Sequence, residues 1–136
     1  MYRSPGIAVL TLAFAAALLL GGCGGSASAS EVTVRVQYSR FEPDALTAHV
    51  GEPITFTLQN DDPIEHEWII GTAGVHERHR TGTEPFHGTV PTEVTLPSLS
   101  TRVTTVTFDE PGVYQYICHL PGHEAYGMTG TVVVEE

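Results

Sequence analysis

Lysine is absent from the 136 residues, and all six basic residues are arginine, set against sixteen Asp and Glu. Beyond residue 30, five arginines face all sixteen acids, a net of −11 with His neutral. That balance excludes nucleic acid as a partner and excludes charge-driven docking on anionic lipid, since both need a basic face. Cysteine is nearly absent as well, with only Cys23 and Cys118, and methionine is equally scarce, with Met1 and Met128. No apolar stripe at helical spacing runs for any length. The longest apolar run, Ile7 to Leu20, is too short to span a bilayer comfortably.

That run suits the hydrophobic region of a signal peptide, with Arg3 the only positive charge ahead of it. Export is therefore expected. Leu20-Gly21-Gly22-Cys23 follows, and it resembles the lipobox of bacterial lipoproteins, in which cleavage leaves the Cys as a lipid-carrying N-terminus. The alternative is an ordinary cleaved signal with a leftover Cys. Residues 1–22 are assigned as the signal peptide, Cys23 as the lipidation site and residues 23–30 as a flexible Gly/Ser/Ala tether. Its seven residues after Cys23 span about 15 Å r.m.s., enough for a spacer from the membrane. Residues 31–136 then form one domain with a real core, lipid-anchored on the outer face of the cell membrane or in the periplasm.

With Cys23 claimed by processing, Cys118 is the only thiol of an exported domain, and no intramolecular disulfide is possible. A free thiol in an oxidising compartment is a liability unless something occupies it, and a metal is one occupant.

The domain's pattern has period two. Val32, Val34 and Val36 alternate with polar residues, as do Ile54, Phe56 and Leu58; Val106 and Phe108 alternate with threonine, and Val132 to Val134 is a short β-branched run. Turn signals at Gly51-Glu52-Pro53, Asn60-Asp61-Asp62-Pro63 and Glu110-Pro111-Gly112 punctuate these strands. Short strands so spaced predict an all-β sandwich or barrel.

In the strand Val113 to Cys118, Tyr114, Tyr116 and Cys118 share one face, which should be the core. His119 to Met128 is then the loop to the final strand, so Cys118, His123 and Met128 can converge at one end of the sandwich. A fourth group must come from elsewhere. His66, just after the Asn60 to Pro63 turn, is the candidate, with His49 and His119 as rivals. A thiolate, two imidazoles and a weak thioether form the soft-to-borderline set that selects copper, whereas structural zinc sites take four Cys or His and do not recruit Met.

From Phe41 onward the chain resembles a cupredoxin, the family of plastocyanin and azurin. Phe41-Glu42-Pro43, Leu46-Thr47, Gly51, Ile54-Thr55-Phe56 and Asn60 are similar to the first half of plastocyanin-like domains. Pro111 to Cys118 resembles the strand leading to their copper Cys. The closing motif is C-x4-H-x4-M. Its Cys-to-His part, with Pro121-Gly122 before His123, is similar to azurins and to the type 1 sites of copper nitrite reductases; its His-to-Met part has the plastocyanin spacing. The resemblance implies a Greek-key β-sandwich or barrel of about seven to eight strands. It implies His66, Cys118 and His123 as equatorial ligands of one type 1 (blue) copper, Cu(I)/Cu(II), and Met128 as the axial ligand. Many members have Asn after the first ligand His; here Glu67 stands there, and a carboxylate can also accept hydrogen bonds from the neighbouring loop.

The functional expectation is a monomeric, extracytoplasmic one-electron carrier and not an enzyme, without a small-molecule substrate. Redox proteins would dock near His123, where Leu120, Pro121, Gly122, Ala125 and Tyr126 make an apolar surround. Catalysis at a second copper beside His119 would need several His from a second domain, and a binuclear oxidase-type centre would need another Cys in the loop. The competing expectation is a copper store or chaperone that does not cycle the metal, although Met scarcity argues against it. A metal-free adhesive sandwich would make the ligand set an accident. Gly71 to Pro91, with His76, His79 and His87, is expected to be an irregular polar loop with solvent-exposed His, open to partner docking or a second metal. Trp68 is expected in the core.

Overall fold

The computed structural model describes residues 30–136. The signal peptide, Cys23 and all of the tether but Ser30 lie outside the described residues. Within them the chain runs β1 (Ser30–Val36), β2 (Phe41–Glu42), β3 (Ala45–His49), β4 (Ile54–Asn60), β5 (His66–Gly71), α1 (Ala73–Thr81), β6 (Glu93–Leu96), β7 (Thr101–Val106), β8 (Gly112–Ile117) and β9 (Thr129–Glu135). The all-β sandwich expectation holds, with nine strands instead of seven to eight. One of the nine, β2, is only two residues long.

Two sheets form, in the orders β2-β1-β4-β7 and β3-β9-β8-β5-β6. β1 lies parallel to β4, Val32 opposite Phe56, and β3 lies parallel to β9, Leu46 opposite Val132. Period two decides which residues face inward. In β4 the buried set is Ile54, Phe56, Leu58 and Asn60, with Thr55, Thr57 and Gln59 turned outward. From the other sheet Trp68, Ile70, Tyr116, Val132 and Val134 meet them in one core. Trp68 is fully buried with its ring 4.9 Å from that of Phe56. Its Nε1–H has no partner among the described residues, at a cost of about 1–3 kcal/mol. Burying roughly 150–250 Å² of indole, worth about 4–6 kcal/mol, outweighs that.

Tyr116 crosses the sheet over Gly130, its register partner; a Cβ at Gly130 would stand 2.1 Å from the tyrosine ring. The phenol reaches past it to donate to the Pro43 carbonyl at 2.5 Å, pinning the β2–β3 connection against β8.

The Gly71 to Pro91 expectation needs correction. Residues Ala73–Thr81 form a helix, and His76 on it is completely buried. The helix carries no apolar stripe because its inward face is one valine beside buried His76 and partly buried His79: Val75 packs on Gly71, where a Cβ would stand 2.8 Å from the valine Cβ. His76 is held by polar partners in place of an apolar socket, its Nε2 lying 2.9 Å from the Gln115 carbonyl and its Nδ1 2.9 Å from His119 Nε2. Gly82, left-handed at φ 66°, ends the helix by donating back to Arg78 and His79 carbonyls. Arg78, His79 and Arg80 in the last turn complement the dipole.

Candidate metal centre

β5 and β8 are antiparallel neighbours, Ile69 opposite Ile117, so the first residue of β5 and the residue just past β8 emerge at the same end of the sandwich. These are His66 and Cys118. The β8–β9 loop folds back over them: Cys118 N–H donates to the Met128 carbonyl at 3.2 Å, His123 N–H to Leu120 at 3.0 Å and Met128 N–H to His123 at 3.0 Å. Gly122 and Gly127, at φ 85° and 87°, supply the left-handed turns this loop needs. At Gly127 any Cβ would run into the Arg40 guanidinium, which bonds the Tyr126 carbonyl.

The result is a triangle of donor atoms. His66 Nδ1 lies 3.2 Å from His123 Nδ1, and Cys118 Sγ lies 3.2 Å from the same nitrogen. All three fall within 4.8 Å of one another. A cation bound at about 2.0–2.3 Å to N and S spaces a trigonal ligand set at roughly 3.5–3.8 Å, close to what is found. His66, Cys118 and Met128 are fully buried and His123 is half-buried. The loop closure just described ties the Met128 backbone to Cys118 and His123. The lipidation candidate Cys23 lies outside the described residues. The rival His49 is exposed beside Glu135 at the far end of β9 from this loop, and His119 turns its ring away, toward α1.

The shell around the triangle was only partly legible in the sequence. His66 Nε2 lies 3.0 Å from Asp62 Oδ2, so Nε2–H donates there and Nδ1 keeps its lone pair for a metal. Asp62 also accepts the backbone N–H of Tyr38 at 2.7 Å and of Ser39 at 2.8 Å, while its carbonyl takes Leu99 N–H at 3.0 Å. Burial alone would push the Asp62 carboxyl up; the Ser39, Tyr38 and His66 hydrogen bonds prevail and hold it below the usual carboxylate range. Asn60 sets Asp62 in turn, its Oδ1 accepting Asp62 N–H at 3.0 Å and its Nδ2 donating to the carbonyls of Ile64, Leu96 and Pro97. The turn signal Asn60 to Pro63 was readable; its role in aiming His66 was not.

Glu67 contributes chiefly through its backbone, the N–H donating to Cys118 Sγ at 3.4 Å. Burial raises the Cys118 thiol, and the N–H groups of Glu67 and Leu120 oppose that by favouring the thiolate. Burial likewise depresses His66, partly offset by Asp62. The imidazole is therefore kept free of a proton for a cation, whereas the thiol keeps its proton until a cation displaces it. The Glu67 carboxyl is raised by burial, with His79 and the His119 N–H pulling the other way. A thiolate, two imidazoles and a buried thioether suit copper.

Residues 7–134 match the family described as the cupredoxin-like domain. The copper-resistant cuproprotein CopI of Rubrivivax gelatinosus is 31% identical over 119 residues, covering 83% of this chain and 72% of that protein. Auracyanin-A of Chloroflexus aurantiacus is 26% identical, with 93% of this chain and 94% of that one covered. In three dimensions the dithionite-reduced auracyanin of Roseiflexus castenholzii superposes with a TM-score of 0.66 at 22% identity, covering 80% of this chain and all of that one; this shows a shared fold. The chain belongs to the cupredoxin-like family.

Proposed function

We propose that this protein is an extracytoplasmic type 1 copper protein that carries one electron between redox partners, with His66, Cys118 and His123 as equatorial ligands and Met128 as the axial one. The observation that carries this reading is the triangle of two Nδ1 atoms and one Sγ, all within 4.8 Å, at a sandwich end tied by the Asp62–His66 and Cys118–Met128 hydrogen bonds. Copper, when bound, supplies the Cu(I)/Cu(II) couple. The chain does the rest. Asp62 fixes the tautomer and ring plane of His66, Glu67 and Leu120 direct N–H groups at the sulfur, and the Cys118–Met128 and Met128–His123 backbone bonds fix the loop. Held this way, no side chain has to travel when the charge at the centre changes.

The same end offers a docking face. Around half-buried His123, Pro121, Gly122, Ala125 and Tyr126 are exposed, and Tyr38, Ile64 and Leu99 are exposed on the loops that Asp62 and Asn60 tie together. An apolar face without Lys suits transient association with redox proteins through the His123 edge. The chain acts as a monomeric carrier and not an enzyme, exported and anchored to the membrane through lipid on Cys23. Copper-loaded protein should show an intense visible thiolate-to-copper band that vanishes on reduction and returns on oxidation. Absence of that band in protein holding one copper would refute the reading.

A second reading is copper handling without redox cycling, favoured by the similarity to a copper-resistant cuproprotein. It predicts transfer of copper to an acceptor chelator within minutes, whereas a carrier retains its copper through repeated reduction.

A further inference from the structure

The connection from α1 to β6 holds a second cluster of donors that the first site does not use. His79 in the last turn of α1, Glu84 and His87 on the loop that follows Gly82, and Glu93 at the start of β6 converge on one point. Glu93 divides its carboxylate between the two imidazoles, Oε1 3.3 Å from His79 Nε2 and Oε2 3.2 Å from His87 Nε2. Glu84 completes the group: one donor atom each from His79, Glu84 and Glu93 lie within 4.8 Å of one another, and Glu84 Oε1 is 4.0 Å from His87 Nε2. Arg78 Nε holds the other Glu84 oxygen at 2.6 Å, which leaves Oε1 facing inward. His87 Nδ1 sits 2.8 Å from the Gly88 carbonyl. With its proton donated there, Nε2 carries a bare lone pair pointed at a carboxylate, and only a proton or a cation can lie between them.

We infer that His79, His87, Glu84 and Glu93 form a second metal site, which binds one borderline divalent cation, Cu(II) or Zn(II). Two imidazoles and two carboxylates match those ions, while Ca²⁺ and Mg²⁺ want oxygen alone. The donors lie 16–34% exposed, and His79, His87 and Glu93 line a cleft wall, open enough for entry and sheltered enough to be held. Residues 31–136, with a net charge of −11, concentrate cations near the site. The site is tied to the first centre: the His79 ring stacks on His119 at 5.3 Å and 12°, and His119 follows Cys118. It goes beyond the electron-carrier reading and does not depend on it.

The test uses the full-length protein after it has taken up one equivalent of copper. Cu(II) and, separately, Zn(II) are titrated in, bound metal is counted by elemental analysis after desalting, and Cu(II) is followed by electron paramagnetic resonance. One further equivalent should bind, the added Cu(II) bringing a new resonance without strengthening the visible band. Uptake of only one of the two cations assigns the site to that ion. His87→Asn, on the exposed loop, and Glu93→Gln should each weaken the second equivalent by about tenfold or more and leave the first unaltered, with thermal melts reporting that both variants fold. If wild-type protein takes up neither cation beyond the first equivalent, or if both variants retain the second equivalent at wild-type affinity, the site does not exist. Protein that shows no visible band yet still binds Zn(II) in a manner sensitive to His87→Asn would refute the carrier reading alone.

Discussion

Asp62 accepts the Nε2–H of His66 at 3.0 Å, on the side of the ring away from Cys118 and His123. The same carboxylate holds Tyr38 and Ser39, both at left-handed φ near 50–55°, a conformation that costs about 1 kcal/mol or more per residue outside glycine. One side chain thus aims a ligand and keeps two loops in place. Asp62→Ala should lower copper affinity about 10- to 100-fold and destabilise the metal-free fold by roughly 1–3 kcal/mol. Copper competition titration and urea melts of the apoprotein check the two effects; unchanged affinity would show that His66 needs no orienting partner.

Cys118→Ser should abolish the visible band while the sandwich still folds, because a hydroxyl cannot provide thiolate charge transfer. His66→Ala and His123→Ala should each open an equatorial position and bleach or shift the band. Absorption spectra of the copper-loaded variants decide this. A band that survives Cys118→Ser, or one that His49→Ala removes and His66→Ala does not, would reassign the ligands.

Met128→Leu keeps the volume and removes the thioether, so the reduction potential should rise; Met128→Gln offers a stronger oxygen donor, so the potential should fall. Voltammetry on both variants separates ligation from packing. Two potentials equal to wild type would make Met128 a core residue, with Gln acting through lost stability.

His119 is depressed to about 4, first by burial and then by His76 beside it, and burial depresses His76 too. A folded-state value below the ordinary 6.5 means that the unfolded chain binds the proton first as pH falls. The stabilisation is complete above pH 6.5 and is lost between 6.5 and about 4, of order 3 kcal/mol for His119. Asp62, a depressed carboxylate, adds a loss only below its ordinary value of 3.8. Apoprotein melts from pH 7.5 to 4 should therefore fall, and His119→Gln should flatten the fall. Parallel curves for the two proteins would mean that His119 is not buried neutral.

If Cys23 carries lipid, the protein should partition with membranes, and Cys23→Ala should release it or block processing. Mass spectrometry of the mature N-terminus settles the matter; an unmodified terminus downstream of Cys23 would make this a soluble exported protein.

What the sequence determined by itself was local or periodic. Alternation at Ile54, Phe56 and Leu58 and at Tyr116 and Cys118 places residues on faces because successive side chains of a strand point oppositely, and this needs no partner to be known. Cys118, His123 and Met128 were readable as candidates for a similar reason: they sit in one loop whose spacing carries the motif, and His66 was a candidate from its place after the Asn60 to Pro63 turn, with the ligand role implied by the resemblance. Tertiary structure alone decided what depends on distant partners. Asp62 looks like a turn residue until residues 38 and 39 arrive beside it. His76 looks like a solvent-facing loop residue, because its burial rests on Gln115 and His119, about forty positions on. The helix holding it escaped detection since its inward face is one valine and two histidines, too little for an apolar stripe. His79, Glu84, His87 and Glu93 read as scattered polar residues until a left-handed Gly82 turns the chain back and β6 brings Glu93 between two imidazoles. Side-chain periodicity is written in the chain, whereas a polar group's partner is chosen by closure of the whole sandwich.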